Sequence, residues 1–272
     1  MGFIGRHLCR KLADNNYRFE GFDLKNNRDI RNLIPEDLLG FDYVIHLAAQ
    51  AKVPLSIDKP LFTNSHNIDG TLNLLWCAKE AKVKRFIFSS SSSVYGNQDT
   101  LPLKENMKPN PMSPYATQKI AGEYYCRNFA KLYGMETVSL RYFNVYGEEM
   151  PLDGAYSACI ARFLDLKKKD EPLTIYGGTQ TRDFTYVGDV VSALLSALHS
   201  PKIGKGEIIN IGSGKNYSIN KIAETLSDKS RHSPQRKGEP KHTLASIVKA
   251  KKLLEWSPET NLIKWLEDSN KS

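Results

Sequence analysis

Tyr43-Val44-Ile45-His46-Leu47-Ala48-Ala49 and Arg85-Phe86-Ile87-Phe88-Ser89-Ser90-Ser91 each contain an apolar run of strand length, and the stretch 63–82 between them reads as a helix. Strand, helix, strand at that spacing is a βαβ unit, the connection that parallel strands require because a tight turn cannot join them. The rhythm continues outward. Further strands are expected at 18–24 and 137–144, and further helices at 6–14 and 114–133. Apolar strands of this kind suit a sheet covered by helices on both faces, so the expected fold is a doubly wound α/β parallel sheet.

Ahead of the first helix stands Met1-Gly2-Phe3-Ile4-Gly5-Arg6-His7-Leu8. Gly2 and Gly5 have the spacing of the last two glycines in the phosphate-binding fingerprint of a Rossmann sheet. One lets the backbone approach a pyrophosphate; the other lets helix and strand pack closely. Asp23 ends the next expected strand about 20 residues on, where an acid binds the adenosine ribose hydroxyls. The plain alternative for Asp23 is a turn residue after a strand. The strand that precedes such glycines, and the first glycine of the fingerprint, do not stand in the sequence. Lacking that strand, the sheet is expected to carry unpaired edges and a weakened phosphate loop.

Past Gly147 the texture changes to prolines, lysines and short strands, expected at 173–176, 184–187 and 207–211, with helices near 155–167, 219–226 and 245–254. The expected organisation is a dinucleotide-binding domain at 1–145, rejoined by 182–212, and a smaller interleaved substrate lobe at 146–181 and 213–272.

The 272 residues suffice for this architecture, and 40% hydrophobic with 25% charged content is ordinary for a globular chain. No apolar run is long enough for a bilayer span and no signal peptide opens the sequence, so neither a membrane association nor export is expected. Cys9, Cys77, Cys126 and Cys159 are scattered, which argues against zinc or a disulfide scaffold and suits a reducing cytoplasm. The net charge of +8 is spread along the chain without a basic stripe interleaved with aromatics. Solvated faces and attraction for anionic small molecules are therefore expected, and nucleic-acid binding is not.

A candidate for chemistry lies in Ser113-Pro114-Tyr115-Ala116-Thr117-Gln118-Lys119. Ser113 suits a helix N-cap and Pro114 its first position. Tyr115 and Lys119 then share one face, one turn apart. Ionising a free tyrosine at neutral pH costs about 4 kcal/mol. A nearby ammonium and the positive helix end both favour the phenolate, and a serine from the run Ser89–Ser93 can relay a proton. The same spacing also occurs on ordinary amphipathic helices, as packing plus a solvated lysine.

Taken with other segments, these residues make the chain resemble the extended short-chain dehydrogenase/reductases, specifically the NAD-dependent nucleotide-sugar epimerases and dehydratases, and among them the UDP-sugar 4-epimerases. The segments are Gly2-Phe3-Ile4-Gly5, Asp29-Ile30-Arg31-Asn32, His46-Leu47-Ala48-Ala49-Gln50, Asn67-Ile68-Asp69-Gly70-Thr71, Ser92-Ser93-Val94-Tyr95-Gly96, Arg141-Tyr142-Phe143-Asn144-Val145-Tyr146-Gly147 and Arg182-Asp183-Phe184. The resemblance implies Ser91, Tyr115 and Lys119 as catalytic residues, with Tyr115 the base. It implies NAD held by Gly2, Phe3, Ile4, Gly5, Asp23, Asp29, Ile30, Leu47, Ala48, Ala49, Asn67, Ser89 and Phe143 together with Tyr115 and Lys119. For the nucleotide sugar it implies Ser91, Asn144, Tyr176 stacked on the base, Arg182 and Arg236 on the diphosphate, Glu239, and Thr243 beside the sugar. A homodimer joined through the helices 63–82 and 114–133 is implied as well.

Departures from the family pattern fall in the second lobe. The loop after Tyr176 is one residue short, Ser246 stands where an aspartate is common, and Glu148-Glu149 replaces a segment that often carries proline and arginine. Arg236 also reads as a solvated charge in a basic turn, and Thr243 as a cap for the helix expected at 245–254.

Within the family, the dehydratases need Asp-Glu after the catalytic hydroxyl residue, and here those positions are Ser92 and Ser93. The decarboxylases usually carry an acid before Val-Tyr-Gly, and here it is Ser93. C4 epimerisation of a UDP-glucose, UDP-N-acetylglucosamine or UDP-glucuronate type of substrate is therefore the expectation, through a 4-keto intermediate. The alternatives are dehydration or decarboxylation, and a truncated, non-catalytic NAD- or nucleotide-binding protein.

Overall fold

In the computed structural model the described residues are 1–152, 158–234 and 240–270. In chain order the elements are α1 Phe3–Asp14, β1 Tyr43–His46, α2 Val53–Asp58, α3 Pro60–Asn64, α4 Gly70–Glu80, β2 Arg85–Ser91, α5 Pro114–Tyr133, β3 Glu136–Tyr142, β4 Val145–Tyr146 and α6 Ala158–Lys168. They continue with β5 Leu173–Tyr176, β6 Thr181–Asp183, β7 Thr185–Tyr186, α7 Val187–His199, β8 Lys205–Ile211, β9 Asn216–Ser218, α8 Ile219–Leu226, β10 Ser230–Ser233, α9 Val248–Leu254 and α10 Leu262–Ser269.

The main sheet runs β1-β2-β3-β8, all parallel. Its inward side chains divide between two cores. On one face Ile87, Val138, Leu140 and Ile209 pack with Leu8 and Leu12 of α1, the α7 residues Val190 and Leu194, and Ala250, Leu254 and Trp256. On the other, Phe86 and Phe88 pack with Leu74, Leu75 and Ala78 of α4 and with Cys126 and Phe129 of α5. Apolar burial on both faces is what a parallel sheet covered by helices requires. A third core, around Phe163, Leu173, Ile222 and Leu266, joins β5 to α6, α8 and α10. The remaining strands pair as β10-β5, β4-β7 and β6-β9.

Three local expectations need correction. Residues 18–24 form no strand; they pass from extended backbone into a single 3-10 turn at Leu24–Asn26. A strand needs a ladder partner on at least one edge. A cavity separates this segment from β1, which stands at the sheet edge among the described residues. The helix expected to start at residue 245 starts at Val248. Ala245 is instead extended: it bridges Leu103, and its N–H donates to Asp183 at 3.0 Å. The helix expected over 63–82 begins earlier, at Pro60, and a π-turn at Ser65–Asp69 joins α3 to α4.

Candidate active site

A cavity of about 1470 Å³ runs from the N-terminus of α1 across the strand ends of the main sheet to β6. Ligands of open parallel sheets bind at these carboxyl ends, beyond the strands.

At one end, Gly2 caps α1 with no side chain of its own, and the first turn carries no acid. The positive helix end is left open to an anion. Phe3, Ile4 and Gly5 also line this end. A methyl group on Gly2 would meet nothing within 4 Å, and on Gly5 it would meet Met1 and Leu47 only at ordinary contact distance. No protein contact here is tight enough to give the close-packing reason expected for one of these glycines. Asp23 lines the same end, capping the Leu24–Asn26 turn through Lys25 N at 2.9 Å, with the Met1 amine 3.5 Å away.

Leu47, Ala48 and Ala49 continue the wall beyond β1, with Ile30 to one side. Four expected contacts stand back from the wall. The Asp29 carboxylate is taken up by Arg31, whose Nε lies 3.0 Å from each of its oxygens. Those hydrogen bonds hold the Asp29 carboxyl below its ordinary value. Asn67, on the π-turn, fixes Gln50 instead: it accepts from Gln50 N at 2.7 Å, and donates to Gln50 O and to Gln118 Oε1. Phe143 is fully buried against Tyr95. Tyr176 is half-exposed at the end of β5, away from the cavity.

At the waist of the cavity the end of β2 meets the start of α5. Ser113 caps α5 by accepting from Ala116 N at 3.3 Å, and Pro114 occupies its first turn, as the sequence implied. Tyr115 is buried, its N–H donates to Ser56 Oγ at 3.1 Å, and its phenol hydrogen-bonds Ser91. Ser91 Oγ also accepts from Ser93 N at 3.2 Å. Burial pushes the Tyr115 phenol up to about 12, against the pull of the Ser91 bond. The Lys119 ammonium donates to Ser89 O at 2.7 Å and lies 5.7 Å from the centre of the Tyr115 ring. Burial brings Lys119 down to about 8, opposed by Glu123 and Cys126. Ser93 Oγ lines the cavity here, buried and without a hydrogen-bond partner in the protein.

Gly96 turns the chain away from this point with φ of +58°, where a methyl group would stand 1.8 Å from Asn110 O. Only glycine fits.

The far wall comprises Asn144, Arg182 and Thr243. Asn144 Nδ2 donates to Asp183 O at 2.8 Å. Arg182 is buried and donates to Thr181 O at 3.0 Å. Thr243 Oγ1 accepts from Asp183 N at 3.2 Å, so its hydroxyl ties β6 rather than capping a helix. Asp183 organises this end, accepting from Ser213, Gly214 and Ala245 N–H groups. Arg236 and Glu239 lie outside the described residues.

Sequence reasoning missed Ser56, Ser90 and Glu123. Glu123 had a readable signal, since it follows Lys119 by four residues on the face that carries Tyr115. Ser56 had none, because it reaches Tyr115 only through the fold.

Residues 1–212 match the model of the NAD dependent epimerase/dehydratase family, and the chain belongs to that family. More particularly, several of its relatives are UDP-sugar 4-epimerases. It is 38% identical over 256 residues to a UDP-glucuronate 4-epimerase of Thermodesulfobacterium geofontis, covering 91% of this chain and 76% of that protein. It is 32% identical over 261 residues to a UDP-glucose 4-epimerase of Corynebacterium glutamicum, covering 89% and 79%. Among solved structures, the UDP-glucuronic acid 4-epimerase of Bacillus cereus, in complex with UDP-glucuronic acid and NAD, superposes with a TM-score of 0.90 at 36% identity, covering 99% of this chain and 95% of that one. A UDP-N-acetylglucosamine 4-epimerase of Methanobrevibacter ruminantium superposes with a TM-score of 0.89 at 34% identity, covering 99% and 94%.

Proposed function

We propose that the protein inverts C4 of a UDP-sugar using NAD, with Tyr115 as the base. The observation that carries this reading is the convergence of Tyr115, Ser91 and Lys119 at the waist of one continuous cavity. One arm suits a dinucleotide: an uncapped helix end for the pyrophosphate, Asp23 for ribose hydroxyls, and small residues at Ala48 and Ala49 where the ligand must pass close. The other arm suits a nucleotide sugar, with Arg182 for the diphosphate and Asn144 and Thr243 beside the sugar.

NAD supplies reversible hydride acceptance from C4. The protein's own work is proton transfer and positioning. Tyr115 takes the proton of the sugar 4-hydroxyl and Ser91 relays it. The Lys119 charge favours the phenolate against the burial that opposes it. The 4-keto sugar turns in the site, and Tyr115 returns the proton after hydride addition to the other face. Ser92 and Ser93 offer no carboxylate to expel a second group, which favours epimerisation over dehydration. Incubation with NAD and a panel of UDP-glucose, UDP-N-acetylglucosamine and UDP-glucuronate, with chromatographic separation of C4 epimers, tests the reading. No epimer from any of the three would refute it.

Thr243 leaves room for a 2-acetamido group. Thr243→Tyr should remove activity on UDP-N-acetylglucosamine while sparing UDP-glucose; equal loss of both would reject that role. A homodimer is proposed through α3, α4 and α5, where Leu61 is 86% and Leu132 is 69% exposed beside exposed Trp76 and Tyr133. Light scattering tests it. No helix among the described residues is long and apolar enough to cross a membrane, and four cysteines outside any disulfide suit a reducing, cytoplasmic setting.

A further inference from the structure

Three consecutive serines at the end of β2 meet three successive turns of α5. Ser91 hydrogen-bonds Tyr115, Ser89 O receives Lys119 at 2.7 Å, and Ser90 Oγ donates to Glu123 Oε1 at 2.5 Å. Tyr115, Lys119 and Glu123 recur every four residues and share one helix face. The third turn is the most buried. Glu123 and the Arg141 side chain are each at most 2% exposed, and Arg141 grips the carboxylate with Nε at 2.8 Å and Nη2 at 2.7 Å. The guanidinium lies 4.6 Å from the centre of the Tyr95 ring, and its Nη1 has no partner.

A buried carboxylate with this many dedicated donors is costly unless each is satisfied. Neither Glu123 nor Arg141 lines the cavity, so neither can touch a ligand there. We propose that Glu123, gripped by Ser90 and Arg141, is a positioning residue for the reaction: it locks α5 in register on β2 and presents a buried negative charge to Lys119. The register half is geometric. Sliding α5 by one residue would turn Tyr115 off Ser91 and Lys119 off Ser89 together. The charge half acts through Lys119. The groups that bear on that ammonium are Tyr115, Glu123 and Cys126 on its own helix, His46 on β1, and Arg141 behind Glu123. Of these Glu123 is the anion that opposes its desolvation.

The inference rests on the epimerase reading for its activity readout only. The Lys119 titration can be followed without turnover, by NMR of protein whose lysines are isotopically labelled at Cε, with Lys119→Met assigning the signal. Glu123→Gln keeps the shape and removes the charge, leaving the Arg141 cation unpaired. The Lys119 midpoint should fall by roughly one pH unit or more, and activity should require higher pH, because the phenolate loses its charged neighbour. Arg141→Met should move the midpoint the opposite way. Glu123→Asp keeps the charge and loosens the Ser90 contact: the midpoint should stay near that of the parent, while kcat falls roughly tenfold with KM little changed. Should Glu123→Gln not fold, Arg141→Met and Glu123→Asp decide. A folded Glu123→Gln, or in its absence Arg141→Met, with the parent's Lys119 midpoint would overturn the charge role. Parent kcat in Glu123→Asp would overturn the register role. If the parent shows no epimerase activity while the midpoints move as stated, the substrate reading fails and the charge role stands.

Discussion

Lys119 spends one of its ammonium hydrogens on the Ser89 carbonyl, 2.7 Å away, two residues along β2 before the serine that bonds Tyr115. The strand end thereby holds both the Tyr115 phenol and the Lys119 ammonium.

Replacing Lys119 with methionine keeps most of the packing and removes the charge. Activity should then appear only at higher pH, since the phenolate loses its nearest cation while burial, offset only in part by Ser91, already pushes Tyr115 up to about 12. A pH–kcat profile checks this, and an unmoved alkaline rise would contradict the role.

Tyr115→Phe removes only the proton acceptor. Its ring stays packed, and Ser91 keeps its bond from Ser93 N. We expect kcat to fall by roughly 10²–10⁴-fold with UDP-sugar affinity little changed. Calorimetric titration beside a turnover assay separates the two. Loss of folding would make Tyr115 a structural residue instead.

His46 predicts an acid-labile fold. It is buried between Phe86 and Phe88, and Nε2 faces Thr71 Oγ1 at 2.8 Å. That hydroxyl already donates to Asn67 O, so Nε2 carries the hydrogen, while Nδ1 of the ring is buried without a partner to accept a second one. Burial and the Lys119 charge bring it from 6.5 down to about 3. The folded state therefore binds fewer protons than the unfolded chain across that window. Stability from this residue is complete above pH 6.5 and is lost as pH falls toward 3, with a slope approaching roughly 1.4 kcal/mol per unit. Urea unfolding at several pH values should show a shallower dependence in His46→Asn; an identical slope would exclude His46 as the source.

Gly122 lets α5 lie against β2. A methyl group there would stand 2.4 Å from the Phe88 ring. Gly122→Ala should cost roughly 1–3 kcal/mol despite its better helix propensity, because the ring must move within a packed core. A thermal melt at or above that of the parent would show that Phe88 yields freely.

Among the described residues the outer edge of β1 has no strand partner, and it shares the cavity lining with residues 18–23, Leu8, Leu12, Leu38 and Leu74. An apolar segment of strand length appended ahead of Met1 should pair with that edge, raising Tm and tightening NAD binding. Equal Tm and equal affinity for the two proteins would refute this.

The repeating β-α order and the helix carrying Tyr115 and Lys119 were legible because they depend on local spacing: apolar runs of strand length, and a four-residue interval on a capped helix. The places of Ala48 and Ala49 on the cavity were legible because they follow directly on the end of β1, and that of Asp23 because it stands at a fixed spacing from the glycines. Residues 18–24 misled because strand-forming composition does not supply a ladder partner, and hydrogen bonding between chain segments decides whether a strand forms. Asn67 shows a related limit. Its type and place suggest ligand contact, yet only packing shows that its amide donates to Gln50 and Gln118 and accepts from Gln50 N.

By itself, then, the sequence determined the class of fold, the family and the shared helix face of Tyr115 and Lys119, because side-chain periodicity and capping act over a few residues. Tertiary structure alone decided which candidates face the cavity and what ionisation each side chain favours. Desolvation depends on everything packed around a group, and so do partners such as Ser91 for Tyr115 or Arg141 for Glu123, which meet only when distant segments fold together.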